Sequence, residues 1–340
     1  MKKRLIGVDI ARGIAIIAII IGHMGVKNVN RVVYTFHVPI FFLITGYFIT
    51  ESTKFYLIIK KRIKTLIIPY YTTCLCIVMF NGLKKLITAN GNLSSVSNCV
   101  LEWGIASLYG AGTNYNLPNG VKPIGAIWFL MASFWGELIL RSVLKLKKEM
   151  RIGCLIILFT CSALSVKYLF LPFSIQCGIC AALFMYLGYI SKELKDLIKK
   201  LSNECQILII VISAITWINF VYYFDSFYVA NCNYGKAVSN IIGTICACYF
   251  IIWISNRLLS RFRIFKAVAY IGRYSIFMLC LHIWEMSVLP WESIIIHISN
   301  DTLPYILTKV MVLICRIVFC ILGTIFLSKC NIANKIFGIK

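Results

Sequence analysis

Arg12 and His23 stand eleven residues apart in the stretch Asp9 to Tyr47, with an apolar run between them. A helix turns about 100° per residue, so eleven steps return a side chain to within about 20° of its starting direction. A permanent cation and a titratable imidazole therefore share one stripe, about 16 Å apart along the axis. An imidazole ionises near pH 7, so it is suited to take a proton from a hydroxyl. A guanidinium suits a phosphate or a polarised carbonyl. Other ionisable groups within apolar runs add to this set: Asp9, His37, Glu137, Arg273, His282, Glu285 and Arg316. Such groups are costly in lipid and mark functional positions by default.

Those groups need helices to position them. Hydrophobic residues make up 60% of the 340, against about 45–50% in a soluble domain. The runs are continuously apolar rather than alternating, which favours helices over a barrel. Runs of spanning length occur near 6–24, 32–50, 66–83, 124–143, 152–170, 173–190, 206–224, 237–256, 267–289 and 304–328. The expected fold is an all-α polytopic bundle of about ten transmembrane helices, forming a single domain over 1–340.

The 35 Lys and Arg against 12 Asp and Glu give a net charge of +23. In a soluble chain this excess would point to nucleic acid. Here it concentrates in alternate short loops, after the second, fourth, sixth and eighth runs, so the partner is the membrane and its lipids. The positive-inside rule then places both termini in the cytoplasm. Met1-Lys2-Lys3-Arg4 resembles the start of a signal peptide. Asp9 and Arg12 interrupt it, and no small-x-small site follows, so an uncleaved first helix is expected.

The 15 Cys fall mostly in apolar runs, where Cys packs as a small hydrophobe. Cys177 and Cys180 have CxxC spacing at the start of such a run, and packing is the stronger reading there. Cys99 and Cys232 fall in loops read as external, where a disulfide is open to them. Residues 84–123 read as an outer loop, either filler or a sugar-recognising surface rich in aromatics and amides.

The residues also carry a resemblance. Arg12-x10-His23, FHVPIFFLITGYF (Phe36 to Phe48), IWFLMASFWGEL (Ile127 to Leu138) and IGRYSIFMLCLHIW (Ile271 to Trp284) resemble the membrane-bound acyltransferase-3 family. The second motif is most like its fucose 4-O-acetylase-like branch, with Thr45 where many members have Ser. The resemblance implies a bacterial plasma-membrane O-acyltransferase. Its donor would be cytoplasmic acetyl-CoA, and no metal would take part. Its acceptor would be a hydroxyl of a cell-surface glycan or of its lipid-linked precursor. His23 would be general base or acyl relay. His37 would assist it, or only hydrogen-bond the loop. Arg12, with Arg62 and Arg273, would dock the donor, although Arg12 near a helix end also fits simple snorkelling. Trp128, His282 and Glu285 are candidate acceptor contacts. Glu137 reads as a structural partner for Arg12 or Arg141. A transporter or flippase for a lipid-linked glycan would also use intramembrane charges. A sensor or scaffold without turnover is a third class.

Overall fold

The computed structural model describes residues 5–51, 54–224, 227–299 and 303–339, and its regular elements are helices. In chain order they are α1 (Ile6–Gly22), α2 (Lys27–Val33), α3 (Pro39–Tyr47), α4 (Phe55–Arg62), α5 (Ile68–Thr88), α6 (Leu93–Tyr109), α7 (Trp128–Val143) and α8 (Lys148–Ser165). There follow α9 (Ile175–Lys199), α10 (Asn203–Tyr222), α11 (Ala237–Arg257), α12 (Phe265–Arg273), α13 (Ser275–Val288), α14 (Trp291–Ile298), α15 (Tyr305–Lys329) and α16 (Asn331–Ile336). A π turn over Ile63–Ile67 joins α4 to α5 without a break.

Five helical segments among the described residues are long and apolar enough to cross a bilayer: Phe55–Thr88, Pro172–Lys199, Asn203–Tyr222, Ala237–Arg261 and Tyr305–Lys329. The α12–α13 pair, bent by 76°, makes a sixth if it is one broken span. This is fewer than the ten apolar runs, for visible reasons. The run near 32–50 is not one helix: the chain turns through Tyr34–Val38 and restarts with Pro39 at the first helical position. Pro cannot donate into a continuing helix, and it disfavours helical backbone just before it. The run near 267–289 breaks at Tyr274. Helices α1 and α7, at 17 and 16 residues, are short.

Short helices persist because they are enclosed. α1 packs against α11, α12, α13 and α3. Its crossing with α12 depends on glycine: a Cβ on Gly272 would lie 1.8 Å from the Asp9 carbonyl oxygen, and one on Gly13 would lie 2.1 Å from that of Val268. Helices associate in lipid through such close approaches. Gly46 and Gly188 do the same for α3 against α9.

Residues 84–123 are not a plain loop. They contain α6, capped by Asn92, whose side-chain oxygen accepts from the Ser94 and Ser95 amides. Cys99 lies on this helix, its thiol toward the Asn81 carbonyl, while Cys232 sits beside Cys177 at 3.8 Å. The two are therefore not partners for each other. Cys177 and Cys180 are buried in the α7–α9 core.

The basic loops converge. Arg141 donates to the Thr50 carbonyl, Arg151 pairs with Glu51, Lys192 donates to the Ile49 carbonyl and Lys195 to the Tyr47 hydroxyl. These contacts tie the segment after α3 to the α7–α8 turn and to the end of α9. Lys2, Lys3, Arg4 and Lys340 lie outside the described residues.

Candidate active site

Two polar groups line up along α1. The first surrounds a cavity of about 150 Å³, walled by Arg12, Ile16 and Ile19 of α1. Phe41 and Thr45 of α3, Arg62, Glu137 of α7 and Ser275 of α13 close it. Arg12, Ile16 and Ile19 follow helical spacing, and His23 is the next position on that face. The shared stripe is thus present in the folded chain. Arg12 is half-buried at one end of it, and His23 closes the helix at the other.

Glu137 is 1% exposed. One carboxylate oxygen accepts from Arg141 Nε, one helical turn on, at 3.0 Å; the other is ion-paired to Arg62 Nε. The α4–α5 π turn carries Arg62 to this position. A buried carboxylate with a guanidinium at each oxygen fixes both cations without cancelling them. The cavity wall therefore remains basic. Arg273, at the end of α12, is exposed, lies over the Tyr274 ring at 5.2 Å and precedes the cavity residue Ser275.

The second group lies at the His23 end. The His23 and His282 rings meet edge to face, with centroids 5.2 Å apart. His282 Nδ1 is 2.8 Å from Glu285 Oε1, one turn along α13. Glu285 Oε2 accepts from the Trp291 indole N–H, and Arg316 of α15 brings its Nε to 3.7 Å of Oε1. Both His282 and Glu285 are 0% exposed. His23 Nδ1 makes a long contact, 3.5 Å, to the Ile19 carbonyl.

His37 is also buried, and its Nδ1 donates to the Val33 carbonyl at 2.8 Å, with the Tyr34 ring edge-on at 4.7 Å. It thus bonds the turn between α2 and α3. Trp128 is 4% exposed and packed in the α7–α9 core beneath Gly112.

The structure therefore brings Arg12 and Arg62 together at one cavity, and His23, His282 and Glu285 together at the other end. Sequence reasoning gave no role to Arg316 or Trp291. Arg316 carried a signal, a cation near the middle of the 25-residue apolar α15. Trp291 carried none.

A cation-lined slot and an imidazole cluster on one helix face can hold an anionic ligand at one end and move a proton at the other. Comparison with curated proteins and with solved structures finds no match. The profile of one family, described as an acyltransferase domain, does match, over residues 5–329, and the chain belongs to this acyltransferase-3 family.

Proposed function

We propose that this protein moves an acetyl group from cytoplasmic acetyl-CoA to a hydroxyl of a cell-surface glycan or its lipid-linked precursor. Family membership makes it a multi-pass membrane enzyme that transfers acyl groups. Donor, acceptor and orientation are our reading. The observation that carries it is the α1 stripe, with Arg12 at a basic cavity and His23 in an imidazole cluster.

The cavity has room for about five waters at roughly 30 Å³ each. A slender chain fits a space of that size. The phosphates of coenzyme A would stay at the basic end, near Arg62 and Arg273, while the thioester end enters between Arg12 and Thr45. The acetyl group then meets the acceptor hydroxyl towards His23. There the C–O bond forms, the C–S bond breaks, and His23 takes the hydroxyl proton. His37, bonded to its own turn, holds the backbone that faces this site.

The basic end would face the cytoplasm, with both termini on that side. About ten crossings result if α1, α3, α7 and α8 and the bent α12–α13 pair are counted beside the long helices. The positions of the basic loops support this arrangement.

The test is transfer of radiolabel from acetyl-CoA into glycan in purified membranes with and without the protein. Label in the glycan only when the protein is present is the expected result. Unlabelled glycan, with its export lost in cells lacking the protein, would favour a carrier instead.

A further inference from the structure

Glu285 is buried, and both of its oxygens are held. One oxygen meets His282 Nδ1 at 2.8 Å, the other accepts from the Trp291 indole, and Arg316 stands 3.7 Å away to balance its charge. With Glu285 ionised beside Arg316, the carboxylate accepts only, and the shared proton is assigned to Nδ1. This fixes the tautomer of His282 and leaves the lone pair on Nε2. That Nε2 is buried and has no hydrogen-bond partner among the described residues. A purely structural histidine would use both nitrogens, since a buried acceptor left empty is destabilising. The His23 ring packs against the His282 ring, edge to face with centroids 5.2 Å apart.

We propose that Glu285 and His282 form a proton relay behind His23, with His282 a positioning residue rather than an acceptor contact. The inference rests on the acyl-transfer reading above. When His23 takes the hydroxyl proton it becomes an imidazolium with two N–H donors in an apolar site. The empty lone pair of His282 Nε2 accepts one of them, and the proton passes across. Glu285 steadies the charge through the Nδ1–H bond, as a buried acid steadies histidine in hydrolytic triads. Overall, one C–O bond replaces one C–S bond, and the proton held by His282 returns through His23 to protonate the departing thiolate.

The test uses purified full-length protein, radiolabelled acetyl-CoA, and the lipid-linked glycan fraction of native membranes as acceptor probe. Glu285→Gln and His282→Gln are each expected to lower kcat by at least about 10²-fold while KM for acetyl-CoA stays unchanged, because the donor binds at the other end. The dependence of rate on solvent deuterium should be curved for the wild type, where two protons move, and linear for His282→Gln. Trp291→Phe keeps every charge and frees one carboxylate oxygen, so it should fold and lower kcat about three- to tenfold. It carries the test where the polar variants do not fold. Variants within twofold of wild type, beside a His23→Ala protein that has lost transfer, would overturn the relay alone. A wild type that transfers nothing would overturn the acyl-transfer reading itself.

Discussion

Glu137→Gln separates charge pairing from donor binding. Each oxygen of this buried carboxylate holds one guanidinium. Removing one partner of a buried ion pair typically costs about 3–5 kcal/mol, because the other charge is left uncompensated. Two features reduce that here. The Arg62 side chain is 23% exposed, so water recovers part of its charge. Arg141 keeps its 3.0 Å bond to the Thr50 carbonyl. Glutamine also keeps the shape and one acceptor oxygen. The expected loss is therefore at the low end, about 2–3 kcal/mol, a large share of a typical stability of about 5–15 kcal/mol. It is measured by thermal unfolding of the purified protein in detergent. Acetyl-CoA affinity, measured by calorimetry on the same samples, should hold or tighten, since the cavity has lost a negative charge. Wild-type stability in Glu137→Gln would refute the pairing argument. Undiminished stability together with lost donor affinity would mean that the carboxylate itself meets the donor.

Arg12→Ala should weaken acetyl-CoA binding about ten- to a hundredfold, the worth of one charged hydrogen bond, and leave the fold intact. Unchanged affinity by calorimetry would reduce Arg12 to an interfacial cation. Gly272→Leu should destabilise by at least about 1–3 kcal/mol through the α1–α12 crossing, where its Cβ has no room. Gly104→Ala on α6, with open space around it, should be neutral or stabilising by up to about 1 kcal/mol; equal unfolding temperatures for the two would contradict the packing described. Reporter fusions at Gly91 and Lys340 should report opposite sides of the membrane, and the same side for both would end the ten-crossing arrangement.

The α1 stripe was legible because Arg12, Ile16, Ile19 and His23 obey a helical period that no neighbour can alter. The pairing of Glu137 with Arg141 was legible as an i,i+4 pair; its second partner, Arg62, comes from a distant helix and was not. Apolarity alone could not show that the run near 32–50 breaks, since a turn between two buried helices is as apolar as the helices. Pro39 was the available sign. Helix α6 was hidden because Ser94, Ser95, Ser97 and Asn98 suggest a loop, although Asn92 is a good cap. The ring around Glu285 was not legible, because Arg316 joins it across 31 positions of sequence. The surroundings of Arg273 were not legible either: its position in an apolar run marked it as an intramembrane charge, yet it lies exposed over the Tyr274 ring.

The central claim is that one face of α1 carries the reaction, and its most direct test is acetyl transfer by His23→Ala at matched protein level. The imidazole ends the stripe and packs against His282, while among the described residues its one backbone contact is a long one. Its loss should therefore cost little stability. Transfer of radiolabel from acetyl-CoA to native membrane glycan should fall by roughly 10²–10⁴-fold, the usual worth of a general base, with donor affinity at the Arg12 cavity retained. Near-normal transfer by His23→Ala would contradict the account.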